Sequence, residues 1–167
     1  MGLFPLEHDE LAASVGDLLV ARGEKLAVSE TTAGGLISAR LLSVPGASRW
    51  YDGGIIPYAG AYRWEQLGLD VEVARRHGAV SVPWVAATAE GLRRALGCAW
   101  ALAESGIAGP QGSRRSPKPV GSVVIALAGP SGTVTEEHLF PGSRVEVMAQ
   151  IAQRSLELLH ESLSRQS

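Results

Sequence analysis

Near the start of the chain, a strand-like segment runs directly into a glycine turn and then into a helix-like segment, an order that few folds accommodate. Residues 25–29 (KLAVS) read as a short buried strand, and residues 30–35 (ETTAGG) form a polar turn. Apolar residues then recur at helical spacing through Leu42. Helices that alternate with short strands are typical of layered α/β proteins, so this unit predicts that fold class.

The rest of the chain continues the alternation of helices and strands. Helices are predicted from capping and periodicity over residues 9–23, 61–67, 70–78, 82–96 (with Ser81 as cap) and 143–163. Strands are predicted over residues 51–58, 99–104, 120–128 and 133–140, the last two as a hairpin. Four to five short strands among these helices indicate a layered sandwich around a mixed sheet.

Length and charge exclude several classes of protein. A chain of 167 residues fits one domain that buries its own core, and we expect one domain over 1–167 with its core over about residues 8–163. The formal net charge is −2, and the one dense basic run is Arg114-Arg115 near Lys118. Because a phosphate backbone requires a broad basic surface, nucleic acid is not an expected partner.

Metal and membrane chemistry also lack sequence support. Cys98 is the only cysteine, which excludes an internal disulfide and a cysteine-cluster metal site. The four histidines are scattered without metal-ligand spacing, so neither a metal nor another cofactor is predicted. No apolar run approaches the roughly 20 residues of a membrane span, and the first residues lack the pattern of a signal peptide. We therefore expect a cytoplasmic protein without a membrane partner.

The first turn is a candidate anion site. Thr31 and Thr32 are followed by Gly34 and Gly35 at the predicted start of a helix. Unpaired backbone N–H groups and the helix dipole favour a phosphate or carboxylate at such a position. The alternative is purely structural, with Thr32 as the helix cap and the glycines permitting close packing.

A second candidate turn follows the predicted strand over 99–104. It contains Ser105, Gly106, Ala108 and Gly109. Open α/β sheets bind ligands outside the carboxyl ends of their strands, and two such turns in one chain strengthen that interpretation. An ordinary glycine-rich turn is the alternative, although Glu104 at the end of an apolar strand needs a partner.

Aromatic and basic residues supply further candidates. Tyr58, Tyr62, Arg63 and Trp64 follow the strand over 51–58 and offer stacking, hydrogen bonding and a charge for phosphate. They also suit a cover for the sheet edge, which is the expected role of Trp64. Arg144, beside the cap of the last helix, is either a partner for an acidic ligand group or a solvated arginine.

The order of motifs in the chain resembles the C-terminal domain of the CinA family over about residues 8–160. The segments that carry the resemblance are ETTAGG, PGAS, GGIIPY, HGAVS, SGIAGP, KPVGSV and FPGSR. The resemblance implies a three-layer α/β/α sandwich with a mixed sheet and assembly into homo-oligomers. In active members it also implies hydrolysis of nicotinamide mononucleotide (NMN) to nicotinate mononucleotide and ammonia.

Both motifs depart from the pattern of active members, which usually read E-S-C-T-G-G and Y-S-N-E-x-K, and two of the departures bear directly on the chemistry. Thr31 stands at the serine position and Arg63 at the lysine position. A lysine can lose its proton and act as a base, whereas arginine stays charged at any ordinary pH. The positions that match the pattern are Ser48, Tyr58, Ser105 and Arg144.

The resemblance implies roles for these residues and leaves two hypotheses. As an amidohydrolase, the chain would attack with Thr31 or Ser48, transfer protons with Tyr58, and hold phosphate or the oxyanion with Arg63 and Arg144. The predicted binding set is Thr32, Gly34, Gly35, Ser105, Gly106, Ala108, Gly109 and Arg144. The second hypothesis is a non-catalytic nucleotide- or anion-binding module with a regulatory or assembly role, which the arginine at position 63 favours.

Overall fold

A computed structural model describes residues 9–58, 67–110 and 116–165. Five α-helices, five strands and one short 3₁₀ helix occur there. The helices are α1 (Glu10–Arg22), α2 (Leu36–Leu42), α3 (Val71–His77), α4 (Val82–Leu96) and α5 (Arg144–Arg165), and the 3₁₀ helix is Ala47–Arg49. The strands are β1 (Leu26–Glu30), β2 (Tyr51–Ile55), β3 (Trp100–Gly106), β4 (Ser122–Gly129) and β5 (Gly132–Leu139). The predicted helix over 61–67 lies almost wholly outside the described residues.

The five strands form one mixed sheet in the order β2-β1-β3-β4-β5. Strand β1 runs parallel to both β2 and β3, while β4 is antiparallel to β3 and β5 is antiparallel to β4. Parallel strands must be connected by crossovers, which α2 supplies between β1 and β2, and α3 and α4 supply between β2 and β3. The carboxyl ends of β1, β2 and β3 therefore meet at one edge of the sheet.

Helices cover both faces of the sheet, as the alternation of buried side chains requires. Leu26, Val28 and Leu102 pack in one cluster with buried residues of α1, α2 and α5. On the other face, Ala103 packs with residues of α4 that include Trp84 and Val85. Because successive strand residues point to opposite faces, this division gives the three-layer α/β/α sandwich that was predicted.

Helix ends follow the predicted capping in most places. The Asp9 carboxylate accepts the Ala12 N–H at 3.0 Å, and the Glu146 carboxylate accepts the Ser143 N–H at 2.7 Å, which forms the predicted capping box. Ser81 is an exception, because its hydroxyl donates to the Gly78 carbonyl at 2.7 Å and makes no cap bond to α4. None of the described helices is both long enough and apolar enough to cross a membrane.

Two strand boundaries differ from the prediction and affect the candidate site. Strand β2 ends at Ile55, so that Tyr58 follows the strand. Strand β3 continues through Gly106, because Ser105 and Gly106 pair with Val124 and Val123 of β4. Ser105 is therefore held by the sheet rather than by a turn.

Candidate functional site

A cavity of about 370 Å³ lies at the edge where the parallel strands end. Thr31 follows β1, Tyr58 follows β2 and Ser105 lies at the end of β3. The described residues that line the cavity are Thr31, Pro57, Tyr58, Val71, Ala74, Arg75, Ala79, Trp84 and Ser105. Three of the predicted site residues, far apart in sequence, therefore border one space.

Arg144 joins two segments at this edge. Its Nη2 donates to the Tyr58 hydroxyl at 2.8 Å, and its Nη1 donates to the Gly109 carbonyl at 2.6 Å. Neither acceptor carries a negative charge, and both Arg144 and Tyr58 are exposed. The guanidinium therefore keeps a charge that a ligand phosphate or carboxylate can neutralise.

Thr32 connects the first turn to the end of β3. Its Oγ1 accepts the Gly106 N–H at 2.7 Å and donates to the Gly106 carbonyl at 3.0 Å. The side chain is buried and does not border the cavity. The expectation that Thr32 caps α2 is wrong. Gly35 occupies the cap position, and the Thr32 hydroxyl already serves as donor and acceptor for Gly106 of β3.

Glu30 is the residue that caps α2, a role that sequence reasoning missed. Its carboxylate accepts N–H groups from Gly35 at 2.9 Å, Ile37 at 2.9 Å and Ser38 at 2.7 Å, and also the Ser38 hydroxyl. The side chain is fully buried. A buried glutamate directly before a predicted helix start was the available signal, because a buried charge requires such donors.

The Glu104 carboxylate accepts hydrogen bonds from two amides that lie before Gly35 in the same turn. Its Oε1 accepts the Thr32 N–H at 2.7 Å and the Ala33 N–H at 2.8 Å. Burial and, to a smaller extent, the nearby Glu30 charge raise the pKa of Glu104 while these amides lower it, and the net result is a pKa of about 7. Glu104 thus has the partner that its position in an apolar strand required.

These two carboxylates change the interpretation of the first turn as an anion site. The amides of Thr32, Ala33, Gly35, Ile37 and Ser38 already donate to protein carboxylates. Gly34 and Gly35 do not border the cavity, and both have left-handed φ angles. Glu30 and Glu104 thus already provide negative charge at this helix start, which favours the structural interpretation of the turn over a ligand anion site.

The remaining predicted residues are divided between the site and other regions. Gly109 reaches the site through its bond to Arg144, whereas Ala108 is buried in the core cluster of α1, α2 and α5. Ser48 lies exposed in the 3₁₀ helix before β2, at the edge opposite Thr31, and does not border the cavity. Arg63, Tyr62 and Trp64 lie outside the described residues.

The walls supplied by α3 and α4 were not anticipated from the sequence. Val71, Ala74 and Arg75 come from α3, and Trp84 comes from the first turn of α4. Trp84 is buried, with an exposed fraction of 4%. The periodicity of a helix shows which face is apolar, but it does not show that this face borders a cavity.

The family model described as CinA C-terminal domain matches residues 8–163. A CinA-like protein of Anaeromyxobacter dehalogenans is 46% identical over 155 residues, which is 93% of this chain and 38% of the relative. A putative competence-damage inducible protein of Desulforudis audaxviator is 39% identical over 99% of this chain and 40% of its own length. The chain thus spans well under half the length of these relatives.

Solved structures match along nearly the whole of both chains. A CinA superfamily protein from Klebsiella pneumoniae has a TM-score of 0.87 at 29% identity, covering 93% of this chain and 97% of that one. A competence/damage inducible protein from Agrobacterium tumefaciens has a TM-score of 0.87 at 30% identity, with coverage of 98% and 99%. The fold of the described residues is thus shared with solved CinA superfamily proteins.

Proposed function

The chain belongs to the CinA C-terminal domain family, and from this premise we propose that it is an amidohydrolase that converts NMN and water to nicotinate mononucleotide and ammonia. One observation carries the proposal. Thr31 and Ser105, which both carry hydroxyls, border one cavity with Tyr58, whose phenol accepts a hydrogen bond from the exposed guanidinium of Arg144. This arrangement combines a nucleophile, a proton-transfer group and a cation for the substrate phosphate.

Thr31 is the hydroxyl that the geometry favours for attack on the amide. A bond forms between its Oγ1 and the amide carbon, the C–N bond breaks, and the amine leaves as ammonia after gaining a proton. Water then cleaves the resulting ester, which releases nicotinate mononucleotide and restores Thr31. Ser48, the other candidate, lies at the opposite edge of the sheet, so that within one chain it cannot reach the same amide.

The other residues would bind and orient the substrate. A volume of about 370 Å³ lies within the range of sites for small molecules, and the apolar wall that includes Pro57 and Trp84 suits a flat ring. Arg75 borders the cavity but pairs with Glu72. Arg144 is therefore the cation among the described residues that we assign to the phosphate.

Ammonia release from NMN by the purified protein tests the activity. We expect slow release by the natural chain, because Arg63 cannot accept a proton. The Thr31→Ser/Arg63→Lys double variant should gain at least about 100-fold, the contribution typical of a positioned general base. An enzyme-coupled ammonia assay at saturating NMN gives both rates.

Two further variants locate the nucleophile on this double-variant background. Changing position 31 to alanine should remove ammonia release, whereas adding Ser48→Ala should leave it unchanged. Loss of activity on the Ser48→Ala change alone would contradict the assignment of the attack to residue 31. Ammonia release by neither the natural chain nor the double variant would contradict the proposed activity.

Arg144→Ala should weaken NMN binding by about 10- to 100-fold, since a hydrogen bond to a charged group contributes roughly 1.5–3 kcal/mol. The residue is exposed, so the fold should be retained. Isothermal titration calorimetry measures the affinity, and Arg49→Ala, another exposed arginine far from Thr31, is the matched control. If Arg144→Ala and the natural chain bind NMN with equal affinity, Arg144 does not contribute to the binding site.

The second candidate function is a nucleotide- or anion-binding module without turnover. The observation that favours it is Arg63, which stands where the family's active members have a lysine. Unlike that lysine, an arginine keeps its proton and its positive charge and cannot act as a base. This function predicts that NMN raises the melting temperature of both the natural chain and the double variant while neither releases ammonia. Assembly into homo-oligomers stays a prediction, which light scattering can test. A cytoplasmic location also stays a prediction.

A further inference from the structure

The group that the proposed chemistry leaves unused is the carboxyl of Glu104. The side chain is 2% exposed, and its Oε1 holds the amides of Thr32 and Ala33. Its Oε2 is buried and has no hydrogen-bond partner in the part of the chain that the structure describes. A buried carboxyl with one unsatisfied oxygen is costly, so its role needs a physical explanation.

Among the residues that the structure describes, the surroundings of Glu104 provide no compensating cation. On β1 its direct neighbour is Glu30, a second buried carboxylate. On β4 its neighbour is the apolar Ile125, and α5 covers this face of the sheet with apolar residues such as Val147 and Ile151. Residues 31–35 of the flanking turn contribute amides and carry no charged side chain. Burial and the Glu30 carboxylate therefore place the pKa of Glu104 at about 7.

Glu104 does not border the cavity, but it binds backbone amides that are adjacent in sequence to a residue that does. Successive residues of a strand point to opposite faces, so that Glu104 faces α5 while Ser105 faces the cavity. The amides that Glu104 holds immediately follow Thr31, which does border the cavity. A change in the strength of the hydrogen bonds to these amides therefore changes the constraint on the Thr31 backbone.

We propose that Glu104 is a positioning residue for Thr31: its ionised carboxylate holds the Thr32 and Ala33 amides firmly and fixes the Thr31 side chain at the cavity, and protonation loosens that hold. Hydrogen bonds to an ionised acceptor are roughly twice as strong as bonds to a neutral one. The effect on substrate rests on the proposed function, whereas the proton uptake and the response of the turn do not depend on it.

Nuclear magnetic resonance tests the inference without any ligand. In the natural chain, the Glu104 side-chain carbon, the amides of Thr32 and Ala33 and the Thr31 methyl group should titrate together with a midpoint near pH 7. In Glu104→Gln the turn resonances should not titrate. Glu157→Gln, on the exposed side of α5, is the matched control and should retain the titration. If the Thr31 methyl stays still while the Glu104 carbon titrates, the inference is wrong.

Stability provides a second, independent measurement. A carboxyl whose pKa is raised on folding binds its proton more tightly in the folded state, so stability is lost as the pH rises from about 4.5, the ordinary value, to about 7. The melting temperature of the natural chain should therefore fall relative to that of Glu104→Gln across this window. Parallel melting curves would show that Glu104 does not titrate there and would overturn the inference.

A third measurement compares the NMN affinity of the natural chain with that of Glu104→Gln between about pH 6 and 8. The phosphate of NMN titrates near pH 6, but it does so equally for both proteins. The natural chain should gain about threefold in affinity relative to Glu104→Gln as the pH rises. A constant ratio would overturn the link from Glu104 to Thr31, whereas absence of NMN binding by both proteins would count against the proposed function alone. Should Glu104→Gln not fold, the titration of the natural chain decides the inference.

Discussion

Replacing Gly121 with alanine should lower the free energy of unfolding by about 3 kcal/mol or more, the range of changes that force backbone out of a packed position. Gly121 has a φ of 92°, and a Cβ there would overlap the Phe140 carbonyl oxygen. Its N–H donates to the Ile107 carbonyl at 2.7 Å, and its carbonyl accepts the Phe140 N–H at 2.9 Å. The clash therefore disturbs β4, β5 and the segment that leads from Ser105 to Gly109.

Gly132→Ala is the matched control for this prediction. Gly132 also has a positive φ, of 123°, but a Cβ there would meet no atom within 4 Å. Only the backbone strain remains, which costs roughly 1–3 kcal/mol. Urea denaturation of both variants measures the difference. A loss for Gly121→Ala no larger than that for Gly132→Ala would show that the contact with Phe140 relaxes without cost.

Glu30→Ala should lower the free energy of unfolding by about 3–5 kcal/mol, as expected when a buried charged hydrogen-bonding group is removed from its partners. Three amides at the start of α2 and the Ser38 hydroxyl would lose the acceptor that the fully buried Glu30 side chain provides. Within the described part of the chain, helix α2 has no other side-chain cap, because Gly35 occupies the cap position. The loss should also reach the turn that carries Thr31.

Two comparisons show whether burial produces this effect. Glu30→Gln keeps the shape and one acceptor oxygen and should cost less than Glu30→Ala. Asp70→Ala removes an exposed cap, whose carboxylate accepts the Glu72 N–H at 2.9 Å, and should cost only about 1 kcal/mol. Equal losses for Glu30→Ala and Asp70→Ala in urea denaturation would contradict the role of burial.

Local patterns in the sequence were sufficient to predict the elements and the family. Capping residues and glycines marked both ends of α1 and α4, and the hairpin of β4 and β5 was recognised from its turn. These signals depend on residues only a few positions apart, within one helix turn or one hairpin. The order of the motifs then identified the family, and the match over residues 8–163 confirms it.

The candidate site shows where such patterns become insufficient. Thr31 and Ser105 were predicted to follow strands, where open α/β sheets bind ligands, and the structure places both residues at one cavity with Tyr58. The cavity walls from α3 and α4 were missed, because helix periodicity does not specify what lies opposite an apolar face. For Ser48, the family pattern suggested a catalytic role that its position before β2 does not support within one chain.

Local sequence patterns were enough to predict the fold class, the approximate positions of the strands and helices, and the presence of two turns with polar and small residues. The role of the first turn became evident from long-range contacts. Its amides resemble a free anion site in the sequence, yet the pairing of β1 with β3 brings Glu30 and Glu104 side by side beneath them. Glu104 lies 72 residues from Thr32 in sequence, and a contact over that distance depends on strand order and register, which local spacing does not encode.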